Sequence, residues 1–153
     1  MEKDGRVKGV FLYGESMGGM ASVLAASEAG ERILGLGLLY PALCIPENWL
    51  KEFPRVEDIP ETLSFWDLTL GRCFFTEMRE LRVFELLPGL RVPVLLMHGE
   101  EDPTVPIAFS LRARDLLKDV TFEAFPGEGH GFTDAGVARV CALLTDFVRR
   151  HSD

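Results

Sequence analysis

The sequence is short of cysteine, histidine and basic charge, and it has no long apolar run. Its three cysteines, Cys44, Cys73 and Cys141, are odd in number and far apart among 153 residues, which argues against a disulfide framework and against a C-x-x-C metal or redox site. Reduced, mostly buried thiols are expected instead. The three histidines, His98, His130 and His151, form neither H-x-x-x-H nor H-x-x-E-H, so neither a metal nor any other cofactor is expected. Lys and Arg number 16 against 24 Asp and Glu, a net charge of −8. A field of that sign repels phosphate backbones, and nucleic acid is not an expected partner. No stretch approaches the roughly 18 to 20 apolar residues of a membrane span. Met1 to Arg6 is charged and lacks the apolar core of a secretory leader, so a soluble cytoplasmic protein is expected.

What is present is enough for a core, since 47% of residues are hydrophobic. Val7 to Tyr13 is a short apolar run ended by Gly14, with the β-branched and aromatic content of a buried strand. Met17 to about Ala29 reads as a helix, with Met20, Val23 and Leu24 on one face and Gly30 as its stop. Ile33 to Tyr40, closed by Pro41, lacks alternation and suits a parallel strand covered on both faces. Val92 to His98 predicts a third strand, Ile107 to Leu117 a helix, Val120 to Phe125 a fourth strand, and the spacing of Val137, Val140, Leu143, Leu144, Phe147 and Val148 an amphipathic last helix. Strands alternating with helices imply an α/β fold with a mostly parallel sheet of about four strands and helices on both faces. Between Pro41 and Pro88 the alternation breaks. That stretch, rich in aromatics (Trp49, Phe53, Phe65, Trp66, Phe74, Phe75, Phe84), is expected to be a partly helical cap inserted over about 42–88 of a single domain spanning 1–153.

The chemistry-bearing residues fall in three loops, each after a predicted strand. Gly14-Glu15-Ser16-Met17-Gly18 is G-x-S-x-G at a strand-to-helix turn, a place where the serine is held in a strained conformation with its hydroxyl above the sheet. The helix that follows aims its positive dipole end at any oxyanion formed there. A serine needs a base, and His130, in the glycine-rich loop after the last strand, is placed for it, because parallel sheets build sites at the carboxyl ends of their strands. His98, at the end of its own strand, is expected to be structural and bonded to loop backbone. His151, on a charged tail, is expected to be solvated. A carboxylate must orient the base; Glu100, Glu101 and Asp102 share one loop, and two of the three are expected to be a solvated turn. The chain order serine, acid, histidine is that of α/β-hydrolases.

Taken together, these segments resemble the α/β-hydrolase superfamily, and within it the branch of monoacylglycerol lipases, lysophospholipases and cinnamoyl or feruloyl esterases. Leu12 to Gly19 resembles that branch's nucleophile elbow, Pro93 to Pro106 its aspartate loop, with the carboxylate at Asp102, and Gly129-His130-Gly131-Phe132 its histidine loop. Arg82 to Leu90 is most like the cinnamoyl-esterase members. The resemblance implies a serine hydrolase with Ser16 as nucleophile, His130 as base, Asp102 as its orienting acid and the Met17 N–H as an oxyanion donor. It implies no cofactor, and a small-molecule ester as the partner, with the cap aromatics as candidate walls of an acyl pocket or, equally, as the cap's own core. Complete members begin with a further N-terminal portion that carries the first strands and a second oxyanion donor. The expectation is therefore a C-terminal half of the fold, with Val7 to Tyr13 as an exposed edge open to self-association. Two other readings use the same residues: a silent or weak subunit that needs a partner, and a peptidase or thioesterase with the same triad.

Overall fold

The computed structural model describes residues 7–65 and 67–152. Met1 to Arg6, where the expectation about a leader falls, and Trp66 of the aromatic stretch lie outside the described residues. Four strands, β1 (Val10–Glu15), β2 (Ile33–Leu39), β5 (Val94–Gly99) and β6 (Val120–Phe125), form one sheet in the order β1-β2-β5-β6, every neighbouring pair parallel. Helices α1 (Met17–Ala29), α5 (Ala108–Leu116) and α6 (Asp134–Arg150) alternate with them. Between β2 and β5 lie α2 (Ile45–Glu52), a hairpin of β3 (Thr62–Phe65) and β4 (Leu68–Gly71), α3 (Arg72–Glu80) and the short α4 (Val83–Leu86). Among the described residues no helix is long and apolar enough to cross a membrane.

The period of two along a strand distributes the core between the two faces. Leu36 and Leu38 of β2, with Val94 and Leu96 of β5, pack against Met20, Val23 and Ala26 of α1 and against Ala113 and Leu117. Leu39, Leu95 and Met97 point the other way, to Val140 and Phe147 of α6. The two glycines of β2 serve that second face. A Cβ on Gly35 would stand 2.9 Å from the Phe147 ring and one on Gly37 2.5 Å from Leu144, so β2 gives up two side chains to let α6 approach closely.

Several expectations need correction. The first strand begins at Val10 rather than Val7 and runs through Glu15, while the second ends at Leu39, one residue before Tyr40. The β3–β4 hairpin was not foreseen, because its four-residue strands are too short for alternation to register. Only Cys44 is buried; Cys73 and Cys141 are exposed, Cys141 because it lies off the Gly136, Val140 and Phe147 stripe that α6 buries. His151 is not simply solvated, since its ring lies 4.8 Å from that of Phe147. Of the described aromatics between β2 and β5, Trp49 stacks on Phe53 at 6.1 Å and meets the fully buried Phe75 edge-on at 4.7 Å, while Phe84 faces Phe109. Trp49, Phe53 and Phe75 meet at the joint between α2 and α3.

Candidate active site

Ser16 stands between β1 and α1 with φ 50° and ψ −123°, a region that a side chain occupies only when its surroundings impose it. The surroundings are the neighbouring strand end and the glycines. The Ser16 N–H donates to the Leu39 carbonyl at 3.1 Å, and its own carbonyl accepts from Ala42 N–H at 2.8 Å. A Cβ on Gly14 would land on the Gly18 carbonyl, and one on Gly19 would lie 2.7 Å from Pro41 Cβ. Gly18, by contrast, has nothing within 4 Å of a Cβ position.

Asp102 lies in the turn between β5 and α5, its side chain buried. One carboxylate oxygen accepts from the N–H groups of Thr104 and Val105, both at 2.8 Å. The other accepts from His130 Nδ1 at 2.8 Å. Burial alone would raise its pKa, but the bonds from Val105, His130 and Thr104 outweigh burial and hold the group below the ordinary carboxylate value. A carboxylate can only accept, so His130 carries its hydrogen on Nδ1. Its Nε2 is then free to accept from the Ser16 hydroxyl, 3.1 Å away.

The aspartate and histidine loops are fastened to each other. Glu101 N–H donates to the Glu128 carbonyl at 3.0 Å, and Glu100 N–H to the Phe125 carbonyl at the same distance. Glu128 also accepts from Thr133 N–H at 2.8 Å, while Thr133 caps α6 by accepting from Gly136 N–H. The structure thus brings Ser16, Asp102 and His130 together, and leaves Glu100 and Glu101 exposed in the turn. Met17 opens α1 directly after Ser16, among the first amides that a helix leaves without an intrahelical partner.

His98 is a structural residue of the site, bonded to loop backbone as expected. It is fully buried, its Nε2 donates to the Val105 carbonyl at 2.9 Å, and its Nδ1 pairs with the Ser110 hydroxyl at 2.7 Å. Burial pushes its pKa down, so it is neutral, with Nε2–H also 3.6 Å from Asp102. Two neighbours were missed by sequence reasoning. Tyr40 sets its ring 4.6 Å from that of His130, and its phenol donates to Glu15 at 3.2 Å. Glu15 also accepts from Tyr13 at 2.7 Å. Burial, then the Glu15 charge, pushes the Tyr40 phenol up to about 12.

A serine on a strained strand-to-helix turn, met by an acid loop and a histidine loop at the ends of parallel strands, is the architecture of the α/β-hydrolases. The chain belongs to the prolyl oligopeptidase family, whose model matches residues 44–153. It is 38% identical over 66 residues to a non-heme chloroperoxidase of Burkholderia pyrrocinia, a match covering 42% of this chain and 24% of that protein. Among solved structures it is similar to Est1E from Butyrivibrio proteoclasticus with ferulic acid bound, at 27% identity and a TM-score of 0.85, covering 94% of this chain and 59% of that one. A monoacylglycerol lipase of Paleococcus ferrophilus, at 20% identity, shares the fold with a TM-score of 0.67, over 93% of this chain and 69% of that one. The match to the chloroperoxidase thus spans about a quarter of its length, and the chain about six-tenths of Est1E.

Proposed function

We propose that this protein is a serine esterase that cleaves carboxylic esters through an acyl-enzyme intermediate. The observation that carries the reading is the unbroken chain from Asp102 to His130 to Ser16, with links of 2.8 and 3.1 Å. His130 Nε2 takes the Ser16 proton as Oγ attacks the ester carbonyl, Asp102 holds the tautomer and balances the imidazolium, and the Met17 N–H stabilises the oxyanion. Collapse expels the alcohol, which takes the proton from His130. Water, activated by the same histidine, then releases the acid. No step calls for a cofactor.

The substrate class follows from likeness. Est1E holds ferulic acid, which favours aryl-acyl esters here, with 42–88 acting as a cap over the serine. The prolyl oligopeptidase match favours a second reading, a peptidase with the same three residues, because the triad fixes mechanism rather than substrate.

The test is hydrolysis of a panel holding p-nitrophenyl acetate, methyl ferulate and a prolyl p-nitroanilide. Turnover of the esters, abolished in Ser16→Ala and retained in Ser22→Ala and Ser110→Ala, supports the esterase. Faster turnover of the anilide than of either ester would replace it with the peptidase, and more than about a tenth of the activity left in Ser16→Ala would remove that serine from the mechanism.

A further inference from the structure

We propose that Tyr40 is a positioning residue for His130: its ring supports the face of the imidazole, and Glu15, the residue before the serine, holds its phenol. This rests on the reading of His130 as the base and adds to it a restraint that Asp102 and Ser16 do not provide. Their hydrogen bonds hold the two ring nitrogens, Nδ1 and Nε2, and leave the ring free to tilt about the line joining them. A body against the ring's face removes that freedom. Tyr40 is such a body, at 4.6 Å between ring centroids and 48° between planes, and its own ring meets that of Phe132 edge-on at 5.4 Å.

The backbone shows that this placement is imposed. Tyr40 has φ 34°, and among the described residues only it and Ser16 take a positive φ without being glycine. Such strain persists where neighbouring bonds over-determine it, and here they do. Tyr40 N–H donates to the Met97 carbonyl at 2.8 Å, and two residues on Ala42 N–H donates to the Ser16 carbonyl. The turn that delivers the ring to His130 and the turn that delivers the hydroxyl to it are therefore one bonded unit. The phenol is fixed in its turn by Glu15, whose second oxygen is held by Tyr13. When His130 takes the serine proton, the imidazolium forms with the Tyr40 ring centroid 4.6 Å away, within the range at which an aromatic ring attracts a cation.

The experiment measures kcat and KM for p-nitrophenyl acetate in Tyr40→Leu, Tyr40→Phe, Glu15→Ala and the double variant Tyr40→Phe/Glu15→Ala, with His130→Ala alongside. Tyr40→Leu should lose about 10- to 100-fold in kcat, the scale of a misplaced catalytic group, with KM changed by less than about twofold. Tyr40→Phe keeps the face contact and should recover kcat to within about threefold of the parent. Glu15→Ala, which also frees Tyr13, should cost at least as much as Tyr40→Phe, and the double variant no more than Glu15→Ala alone, because the Tyr40–Glu15 bond is already lost there. A folded Tyr40→Leu with unchanged kcat, a loss confined to KM, or a Tyr40→Phe as slow as Tyr40→Leu would overturn the proposal. Should Tyr40→Leu fail to fold, the cycle decides: additive losses overturn it and non-additive losses uphold it. His130→Ala separates the two layers, since activity retained there would sink the base assignment itself.

Discussion

Asp102 is the residue on which three hydrogen bonds converge, two from backbone amides and one from His130. Asp102→Asn keeps the size of the side chain but turns an acceptor into a donor toward His130, favouring the wrong tautomer, and losses near 10⁴-fold in kcat are typical of that change. Glu101→Gln, in the exposed turn, should leave kcat within about twofold, because Glu101 contributes its backbone N–H and not its carboxylate. A damaging Glu101→Gln beside a tolerated Asp102→Asn would reverse the assignment. The same neighbourhood sets an acid limit on stability. His98 is held neutral by burial, so below its unfolded pKa of about 6.5 the unfolded chain takes a proton that the folded one refuses, and stability falls as pH falls. Asp102, held low, adds stability that is present above about pH 4 and is lost as pH drops through its folded pKa. Melting temperature followed from pH 7 to 5 should decline in the parent and decline less steeply in His98→Gln; equal slopes would clear His98 of the effect.

Ser16 and His130 were legible in the sequence because each is announced by its loop, a serine between glycines after a strand and a histidine between glycines, whereas the loop after β5 offered three carboxylates and the family resemblance pointed to Asp102 among them. Tyr40 and Glu15 carried no such signal. A tyrosine closing an apolar run reads as one more strand residue, and its positive φ is a consequence of bonds to Met97 and of the Ser16 turn, which exist only once β1, β2 and β5 are side by side.

At the level of elements, the strands and helices of the sheet were predictable from period and punctuation, and the hairpin of β3 and β4 was not. The reason β2 contains two glycines was equally hidden, since it lies in α6, more than a hundred residues away in sequence. Their role gives a direct test. Gly37→Val would drive a side chain into Leu144, and overpacking of this kind typically costs about 1 to 3 kcal/mol, so the melting temperature should drop measurably. Gly18→Ala meets open space and should leave the melting temperature unchanged within about 0.5 kcal/mol of stability. The reverse ranking would show that the contacts between β2 and α6 are not as described. Thr133→Ala, which removes the cap of α6 beside the histidine loop, should cost about 1 kcal/mol.

Seen as a whole, the molecule is a parallel sheet in which β1, the strand that carries the serine, pairs with β2 and with no other described strand. An edge of apolar residues with little charge invites strand addition, and Tyr13 is exposed there. The 153-residue chain should therefore self-associate in sedimentation velocity, with a weight-average mass that rises with concentration. A monomer at every concentration would show that the edge is protected. The account as a whole stands on the activation of Ser16 by His130 and Asp102. The most direct measurement is mass spectrometry of the protein after reaction with a fluorophosphonate: one phosphonyl adduct is predicted, on the peptide containing Ser16, absent in Ser16→Ala and strongly slowed in His130→Ala. An unmodified Ser16, or an adduct that forms as fast without His130, would contradict it.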